Sequence, residues 1–495
     1  MQLPRSLQAL AVFAALGAAD SSLSLAGGKP LFTFDYSTSE ADPKNWIGVY
    51  YSFFGGPDND TFISPSLAWA YAPEGKGSVQ VSTSNLQQGT YKAYLLAKDG
   101  YQRLAGPVEA VLPGQGPMSF LVDEFTTHNA RQGDKFEAKV QGLLANAPDT
   151  KTQFSKTASE GDGGDWVQVS GDGTLSGTPS ARGETRVTVQ AKGSNGSQAT
   201  LKVKIPLRPT GSPLVEQIGV LSFNLWEGGS HVNDSHRKQV KYLAGSGVDI
   251  VGFQESGGGH AARLGNALGW ASWQGRDVGI ISRYPVAEVL TGTDVAGGVR
   301  IALDGEASQV IAWNAHLGFT PYGPYDFCFD HMSVDQVLER EAQSGRTPQM
   351  VEIMKLMQPH IANADRVPVL LTGDMNAPSH LDWTDATRQQ HCGVGNVRWP
   401  SSDEPIKAGL NDSYRQIHPD PAADPGNTWS PIFLDNEGRP EPMDRIDFVY
   451  HKGLQVVDSK QEVVGQPKAE PNQQDNEWPS DHAAVRSTFK GIPRN

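Results

Sequence analysis

The sequence predicts two small all-β sandwich domains followed by one large α/β domain. Residues 27–112 and 118–208 consist of short runs rich in β-branched and aromatic residues, broken by Gly, Pro, Asn and Asp, which is the pattern of antiparallel sandwiches. Over residues 214–495, apolar strand-like runs alternate with helical patterns, as expected of an α/β domain. The stretches LPGQGP (112–117) and RPTGSP (208–213) separate the three segments as linkers.

Residues 1–26 have the layout of a secretory signal peptide. Arg5 supplies one positive charge, and an apolar core runs from Leu7 to Ala18. Ala19 and Ala26 are small residues of the kind found at cleavage sites. The apolar core is too short to span a membrane, so we expect a secreted, extracellular protein. Four Asn-x-Ser/Thr sequons, which are compatible with glycosylation, stand at Asn59, Asn195, Asn233 and Asn411.

The acidic balance of the chain limits its partners. The 495 residues include 55 Asp and Glu against 41 Lys and Arg, which gives a formal net charge of −14. No run of basic residues appears along the chain, so a surface that wraps DNA or RNA is not favoured and only a local nucleic-acid cleft stays open.

Cys328 and Cys392 are the only cysteines. This excludes a disulfide scaffold and a thiolate zinc cluster, and it leaves one bridge between them open.

Polar side chains with catalytic chemistry recur at the ends of the strand-like runs of residues 214–495. They are Asn224, Glu255, Asn314, His316, Asp374, Asn376, Asp447, Asp481 and His482. Each alone has a structural interpretation, because Asn and Asp cap helices and open turns. Together, carboxylate and amide oxygens without thiolates suit Mg²⁺, Mn²⁺ or Ca²⁺, and the histidines can transfer protons at neutral pH. This combination indicates phosphoryl transfer to water.

The ordered series SFNLW, GFQES, WNAHLGF, LTGDMNAPS, DRIDFVY and PSDHAAV resembles the endonuclease/exonuclease/phosphatase superfamily. That group contains pancreatic deoxyribonuclease, abasic-site endonucleases, neutral sphingomyelinases and inositol polyphosphate 5-phosphatases. The resemblance spans residues 214–495 and implies a two-sheet α/β sandwich of the deoxyribonuclease-like type. The stretches GDMNAPS and PMDRIDF depart from the extended motifs of the inositol 5-phosphatases. Inositol polyphosphates are therefore less favoured as substrates.

The two β segments also resemble known modules. ADPKNWIGVYYSF with GTYKAYLLAKDGY, in residues 27–112, looks like the SKICH-like β-sandwich found beside several phosphatases. DGTLSGTP with VTVQAKGS, in residues 118–208, resembles the immunoglobulin-like repeats of secreted proteins. A spacer or packing role is as good an interpretation as ligand binding, so we assign these modules no chemistry.

The resemblance implies a metal site in the third segment. Glu255 would be the principal metal ligand, with Asn224 beside it and Asp481 completing or supporting the metal shell. The expected cofactor is Mg²⁺, with Mn²⁺ or Ca²⁺ as alternatives.

The resemblance also implies catalytic roles. Asp374 would orient the nucleophile or a second metal, and Asn376 would donate to a phosphoryl oxygen. His482 would be the general base or a phosphate contact, held in its tautomer by Asp447. His316 would face it across the phosphate and stabilise or protonate the departing oxygen. Members of the superfamily differ in which histidine performs which step, so that assignment stays open.

The loop Gly318–Asp330, which follows His316 closely, is a candidate substrate wall. Prolines restrict its backbone and present aromatic faces at low entropic cost. Its rings are Tyr322, Tyr325, Phe327 and Phe329. The alternative is a loop packed on its own rings. Trp226 and Trp383 lie close to motif residues and are candidates for stacking on a sugar, base or lipid headgroup.

These observations favour a secreted phosphoesterase that hydrolyses P–O bonds, with phosphodiesters as the expected substrates. An extracellular nuclease or a sphingomyelinase-type phospholipase is the alternative, although no hydrophobic hairpin long enough to insert into a bilayer stands out. The sequence contains no G-x-S-x-G elbow that would place a nucleophilic serine, so a serine hydrolase is not favoured. A non-catalytic binding protein with an inactive domain is the alternative from another class, but every motif residue is retained. The candidate substrates are phosphoesters of a small molecule, a lipid headgroup or a glycan.

Overall fold

The computed structural model describes residues 21–84, 86–114, 116–161, 164–180 and 182–494. Most of the predicted signal peptide, residues 1–20, lies outside them. The chain divides into two compact units, residues 1–112 and 113–495. In the described part of the chain, no helix combines the length and the apolar character that crossing a bilayer requires.

The first unit is an antiparallel β-sandwich. Its strands are β1 (Ser22–Leu25), β2 (Thr33–Ser37), β3 (Trp46–Tyr51), β4 (Ala68–Tyr71), β5 (Lys76–Gln80), β6 (Gly89–Leu96) and β7 (Arg103–Leu112). One sheet has the order β1-β2-β5 and the other β4-β3-β6-β7. Alternate residues of both sheets, such as Phe34, Val49 and Ala93, fill one core, as the period of two in a strand requires. The predicted all-β sandwich is confirmed.

The second unit begins with a β module. Its strands are β8 (Ser119–Phe120), β9 (Glu124–Thr126), β10 (Ala130–Arg131), β11 (Phe136–Lys139), β12 (Leu144–Ala145), β13 (Gln153–Gly161), β14 (Gln168–Val169), β15 (Thr174–Gly177), β16 (Gly183–Lys192) and β17 (Gln198–Arg208). The larger sheet has the order β10-β17-β16-β13, with β9 also on β17, and a smaller sheet has the order β11-β15-β14.

Two six-stranded sheets form the centre of the second unit. The strands of this part are β18 (Gln217–Asn224), β19 (Ile250–Gln254), β20 (Ala271–Gln274), β21 (Gly279–Ser282), β22 (Val286–Val289), β23 (Ala296–Glu306), β24 (Gln309–His316), β25 (Val369–Asp374), β26 (Asn411–Asp412), β27 (Asp435–Asn436), β28 (Arg439–Pro440), β29 (Asp447–Lys452), β30 (Gln455–Glu462) and β31 (Ala484–Lys490). The first sheet has the order β20-β21-β19-β18-β31-β30 and the second β22-β23-β24-β25-β29-β26. Strands β27 and β28 pair as a separate hairpin.

Helices connect the strands of the two sheets. They are α1 (Trp226–Gly229), α2 (Ser235–Ser246), α3 (His260–Leu268), α4 (Gly323–Cys328), α5 (Val334–Glu341), α6 (Arg346–Ala362), α7 (Pro400–Lys407) and α8 (Ser413–Ile417). Val220, Leu370 and Val485 belong to the core between the sheets, and α6 adds Met350 and Ile353 to a second core beside β25. The predicted two-sheet α/β sandwich is therefore confirmed.

A polar contact crosses between the two sheets directly beneath the strand ends. Asn314 donates to the carbonyls of Phe253 (2.6 Å) and Gly279 (3.0 Å), and its Oδ1 accepts from Nε2 of Gln254 (2.6 Å). The sheets approach closely there, because a Cβ added to Gly252 would lie 2.0 Å from Oγ1 of Thr372. Asn314 is therefore a structural residue that sets the spacing of the sheets, and it does not face the strand-end cluster.

The β module shares a core with the α/β sandwich. Phe125 and Val203 of the module belong to the same buried cluster as Phe223 and Phe253 of the first sheet. Arg283 donates through Nη1 to the carbonyl of Thr126 at 2.5 Å. A continuous apolar core does not open without exposing both sides to water, so the module acts as a packing partner of the sandwich.

The two cysteines, Cys328 and Cys392, form a disulfide that joins α4 to a segment 64 residues away in sequence. This bridge pins the loop Gly318–Asp330 to the body of the domain.

We expect the double variant Cys328→Ser/Cys392→Ser to lose roughly 4 kcal/mol of unfolding free energy, because the bridge closes a long loop and restricts the unfolded chain. Guanidinium denaturation followed by tryptophan fluorescence measures this loss. Wild-type protein in reductant is the matched control and should show the same change. A loss below about 1 kcal/mol in both samples would contradict a stabilising bridge.

Candidate active site

The polar strand-end residues meet at one edge of the sandwich because strand direction brings them there. In the parallel pairs, Asn224 is opposite Gln254 and His316 is opposite Asp374. Strand β29 runs antiparallel to β25, so its first residue, Asp447, is opposite Asp374. The carboxyl ends of parallel strands and the amino ends of antiparallel ones therefore share this edge.

His482 forms the first histidine–carboxylate pair of the site. Its Nδ1 lies 2.8 Å from Oδ2 of Asp447, and its Nε2 lies 3.7 Å from Oδ2 of Asp374. Because only an N–H can donate to a carboxylate, Nδ1 carries a proton and Nε2 faces the centre of the site. Ser480 holds the segment in place, since its Oγ donates to the carbonyl of Asn224 at 2.7 Å.

His316 forms a second pair of the same kind. Its Nδ1 lies 2.6 Å from Oδ2 of Asp277, and its Nε2 lies 3.6 Å from Oδ2 of Asp374. Two imidazoles thus present Nε2 to one carboxylate oxygen. Sequence reasoning missed Asp277, which stands just before β21. The available signal was its place directly before the strand-like run VGIISRYP.

Asn224 and Glu255 lie beside this centre. Nδ2 of Asn224 donates to Oδ2 of Asp374 at 3.0 Å and to Oε1 of Glu255 at 3.3 Å. Oε2 of Glu255 accepts from the backbone N–H of Glu227 at 2.5 Å. Glu255 itself has φ 54°, and Trp226 has φ 53°. Left-handed backbone at non-glycine residues costs energy and clusters at functional sites.

The backbone of Asn376 contacts the carboxylate of Asp374. Its N–H donates to Oδ1 of Asp374 at 2.9 Å, and its Nδ2 donates to the carbonyl of Leu317 at 3.0 Å. The side chain thereby ties the segment after His316 to the segment after Asp374. A phosphate contact by Asn376 stays a prediction.

The donor set fits a hard divalent cation. Asp374, Asp447 and His482 offer ligand atoms that all lie within 4.8 Å of one another. Within the described part of the chain, the buried Oδ1 atoms of Asp447 and Asp481 have no hydrogen-bond partner. Buried carboxylate oxygens without partners are costly unless a cation or proton satisfies them. Carboxylate oxygens suit Mg²⁺ or Mn²⁺, whereas imidazole suits softer cations, so His482 borders the cation site and is not needed as a ligand. The predicted ligands Glu255, Asn224 and Asp481 adjoin this group.

The charges of the site shift the pKa values of its residues. Burial raises the pKa of Asp481 to about 7, and the charges of Glu255 and Asp374 add to that rise. Burial opposes the charge of His316, but the hydrogen bond to Asp277 and the charge of Asp374 outweigh it and raise the pKa of His316 to about 9. For His482, burial is likewise outweighed by Asp447, Asp374 and Asp481, so its pKa lies well above the ordinary value.

We expect Asp277→Asn to lower the pKa of His316 from about 9 towards the ordinary 6.5, because the variant removes the charged hydrogen-bond partner. The pH at which His316 loses its proton therefore falls, and the alkaline limb of activity moves to lower pH. NMR titration of the imidazole nitrogens measures the shift. Asp294→Asn, which is not bonded to His316, is the control; an unchanged titration in Asp277→Asn would contradict the pairing.

The predicted substrate wall is partly used for packing. The hydroxyl of Tyr322 donates to Asp444 at 3.3 Å, and that of Tyr325 donates to Glu441 at 2.6 Å. Both rings are half-buried. Phe327 and Trp383 are core residues, so Trp383 is not available for stacking on a ligand.

Trp226 lies at the edge of the site but is largely buried. Its ring stacks on His231 with centroids 4.4 Å apart. A contact of Trp226 with substrate stays a prediction. Sequence reasoning also missed Trp429, whose ring centroid lies 5.1 Å from that of His482. No strand-end pattern marked it, because it stands in a loop.

Comparison with known proteins gives a consistent assignment. The model of the Endonuclease/Exonuclease/phosphatase family matches residues 221–482, a range that contains every predicted site residue. The uncharacterized protein F14F9.5 of Caenorhabditis elegans is 34% identical over 293 residues, which are 56% of this chain and 92% of that protein.

Two solved structures show more distant similarity. Truncated TDP2 of Caenorhabditis elegans is 18% identical with a TM-score of 0.38, over 56% of this chain and 98% of that one. An AP endonuclease from Archaeoglobus fulgidus is 17% identical with a TM-score of 0.35, over 55% of this chain and 99% of that one.

Proposed function

Since this chain belongs to the Endonuclease/Exonuclease/phosphatase family, we propose that it is a divalent-metal-dependent phosphoesterase that acts on phosphodiesters. The observation that carries the proposal is the convergence of two histidine–carboxylate pairs on one atom. Nε2 of His316 and Nε2 of His482 lie 3.6 and 3.7 Å from Oδ2 of Asp374. Hydrolysis needs one group to take a proton from water and another to give one to the leaving oxygen.

The charge of the site favours diesters over monoesters. Among the described residues, no Lys or Arg forms an ion pair with Glu255, Asp374, Asp447 or Asp481. A monoester dianion in such a site meets stronger repulsion than the single negative charge of a diester. Enzymes that bind phosphate dianions typically supply guanidinium or ammonium groups for them.

The protein residues provide a complete path for protons. Water attacks phosphorus, its proton passes to Nε2 of His482, and the bond from phosphorus to the leaving oxygen breaks. Nε2 of His316 gives its proton to that oxygen, so the products are a phosphomonoester and an alcohol. Asp447 and Asp277 keep Nδ1 of each ring protonated, which turns Nε2 towards the reacting atoms. The high pKa of His316 suits the donor role.

Glu255 and Asp481 would hold the cation, with Asp374 adjoining them. Asn224 would orient these carboxylates, because its Nδ2 donates to Glu255 and Asp374 while its Oδ1 accepts from the N–H of Trp226. When bound, a divalent cation polarises a phosphoryl oxygen and offsets the carboxylate charges, which lowers the pKa of His482 towards the range in which it accepts a proton.

Turnover of bis(p-nitrophenyl) phosphate beside p-nitrophenyl phosphate tests the proposal. The assays contain Mg²⁺, Mn²⁺, Ca²⁺ or EDTA. We expect metal-dependent hydrolysis that EDTA abolishes, with the diester preferred. A preference for the monoester would overturn the diester assignment. No hydrolysis of either ester with any cation would favour a binding protein with an inactive domain.

We also propose that the protein is secreted. The layout of the first residues supports this, and so does the disulfide, since such bonds persist in oxidising compartments. The sequon residues Asn59, Asn195 and Asn233 are exposed, as glycosylation requires.

Secretion predicts cleavage after Ala19 and not after Ala26. Strand β1, Ser22–Leu25, pairs with β2 over four residues, including Leu23 opposite Tyr36. Cleavage after Ala26 would remove this strand from the first unit and expose the edge of β2. The mature chain should therefore begin at Asp20. Amino-terminal sequencing of the protein secreted from eukaryotic cells tests this. A mature chain that begins at Gly27 would contradict this expectation.

A further inference from the structure

Two groups of rings border the catalytic centre. They consist of Trp226, Phe433 and Trp429 on one side and of Tyr325 and Phe329 on the other, and we call them together the aromatic band. Phe433 lies 5.8 Å from Trp226 and stacks on Trp429 at 5.3 Å between centroids. At the other end Tyr325 stacks on Phe329, also at 5.3 Å. Four of these rings are half-exposed, and only Trp226 is buried.

The carboxylate of Glu441 joins the two halves of the band. Its Oε1 accepts from the hydroxyl of Tyr325 at 2.6 Å and from Nε1 of Trp429 at 2.7 Å. Glu441 is only 6% exposed. Among the residues that the structure describes, none gives Oε2 a hydrogen bond and no Lys or Arg pairs with this carboxylate, so Oε2 is open to water or to a ligand. A buried negative charge among rings is costly until a cation approaches it.

The outer end of the band already holds a cation of the protein. The guanidinium carbon of Arg439, in the hairpin of β27 and β28, lies 3.8 Å from the centroid of Phe329. Aromatic faces attract cations through their ring quadrupole, and several rings together recognise quaternary ammonium groups. Rings with a carboxylate between them attract such a group more strongly than rings alone.

The band lies within reach of a substrate bound at the catalytic centre. Trp429 is 5.1 Å from His482 between ring centroids, and the two residues form an isolated antiparallel bridge. The ammonium nitrogen of an amino-alcohol ester is four bonds from the scissile phosphorus, so a phosphorus held near His482 would allow that group to reach Trp429.

We propose that the aromatic band and Glu441 form a subsite for an alkylammonium group, so that the preferred substrates are phosphodiesters of amino alcohols, of the phosphocholine type. This inference rests on the proposed phosphodiesterase activity and names its substrate class. The same carboxylate disfavours polyanions such as nucleic acid, whose next phosphate would approach Glu441.

A phosphodiester with an alkylammonium group can be a lipid headgroup or a water-soluble diester. Two apolar side chains on the chain segments that carry the band are strongly exposed. Phe319, three residues after His316, is 71% exposed, and Leu434, beside Phe433, is 54% exposed. Apolar side chains at the rim of a site suit contact with a lipid surface, which is why the test includes a lipid substrate.

The test compares p-nitrophenyl phosphocholine with ethyl p-nitrophenyl phosphate, which has the same leaving group and no cation. We expect kcat/KM to favour the choline ester at least tenfold. Glu441→Gln keeps the shape of the side chain and should reduce this ratio about tenfold. Glu352→Gln, an exposed site on α6, is the matched control and should leave the ratio unchanged. Thermal unfolding verifies that each variant is folded.

Inhibition by tetramethylammonium gives a second measurement that needs no variant. It should compete with hydrolysis of the ethyl ester by the wild-type protein. A ratio near one together with no inhibition, while the ethyl ester is hydrolysed in a metal-dependent way, would overturn the subsite and leave the proposed function intact. No hydrolysis of either ester would overturn both. A preserved ratio in folded Glu441→Gln would also overturn the subsite.

A second assay distinguishes a lipid headgroup from a water-soluble diester. It compares the rate of hydrolysis of a phosphocholine lipid in mixed micelles with that of glycerophosphocholine. Faster hydrolysis of the lipid identifies a headgroup, and faster hydrolysis of glycerophosphocholine identifies a soluble diester. Either result supports the subsite, whereas no hydrolysis of both by protein that hydrolyses the ethyl ester would overturn it.

Discussion

His482→Ala is expected to lower kcat/KM for a chromogenic phosphodiester by about three orders of magnitude. The variant removes the group that we propose as general base, and such groups contribute about 10²- to 10⁴-fold. It also leaves Oδ2 of Asp447 without its partner at 2.8 Å, next to an Oδ1 that already has none. Steady-state kinetics at saturating metal measures the loss.

Loss of stability has to be separated from loss of chemistry in this variant. Asp447 is fully buried, so an unpaired carboxylate destabilises the native state. Thermal unfolding therefore accompanies the kinetics, and His360→Ala, on the partly exposed surface of α6, is the control for a histidine outside the site. Folded His482→Ala protein with activity within tenfold of the wild type would exclude His482 as the base.

Glu255→Gln is expected to lower activity at least a hundredfold and to raise the metal concentration needed for half-maximal rate. The variant keeps the size of the side chain but removes its charge, and its amide nitrogen turns a donor towards the N–H of Glu227 or the Nδ2 of Asn224. Ligand loss of this kind weakens a hard-cation site strongly. Activity as a function of Mg²⁺, with calorimetric titration, measures both effects.

The outcome also locates the cation. Glu352→Gln on α6 is the matched control and should behave as the wild type. If folded Glu255→Gln retained its rate and its metal dependence while Asp447→Asn lost both, the cation would belong to the group of Asp374, Asp447 and His482. Glu255 would then be a positioning residue for the backbone of Glu227.

Much of the site was predictable because its chemistry is local in sequence. Strand-like runs that end in acids, amides and histidines identify which groups a sheet edge presents, and the structure brings Asn224, Glu255, Asp374 and His482 together there. Asn314 shows the limit of that reasoning. Asn314 is a polar residue near a strand end, like the site residues. Its side chain nevertheless lies between the sheets and donates to the carbonyls of Phe253 and Gly279.

Pairings between residues that are distant in sequence needed the structure. Asp277 meets His316 across 39 residues, and Glu441 meets Tyr325 across 116. Neither separation leaves a periodic signal in the sequence. The same holds for the bond between Cys328 and Cys392, which sequence reasoning left open and which the structure establishes.

The sequence by itself determined the fold class, the acidic character and the inventory of catalytic groups, because strand and helix periods and side-chain chemistry are properties of short segments. Only the tertiary structure decided which of those groups meet. Asn224 reaches Asp374 across 150 residues, and the β module shares its core with the catalytic sandwich in spite of the linker between them. Such contacts depend on how sheets pack and in which direction strands run, and no local pattern encodes either.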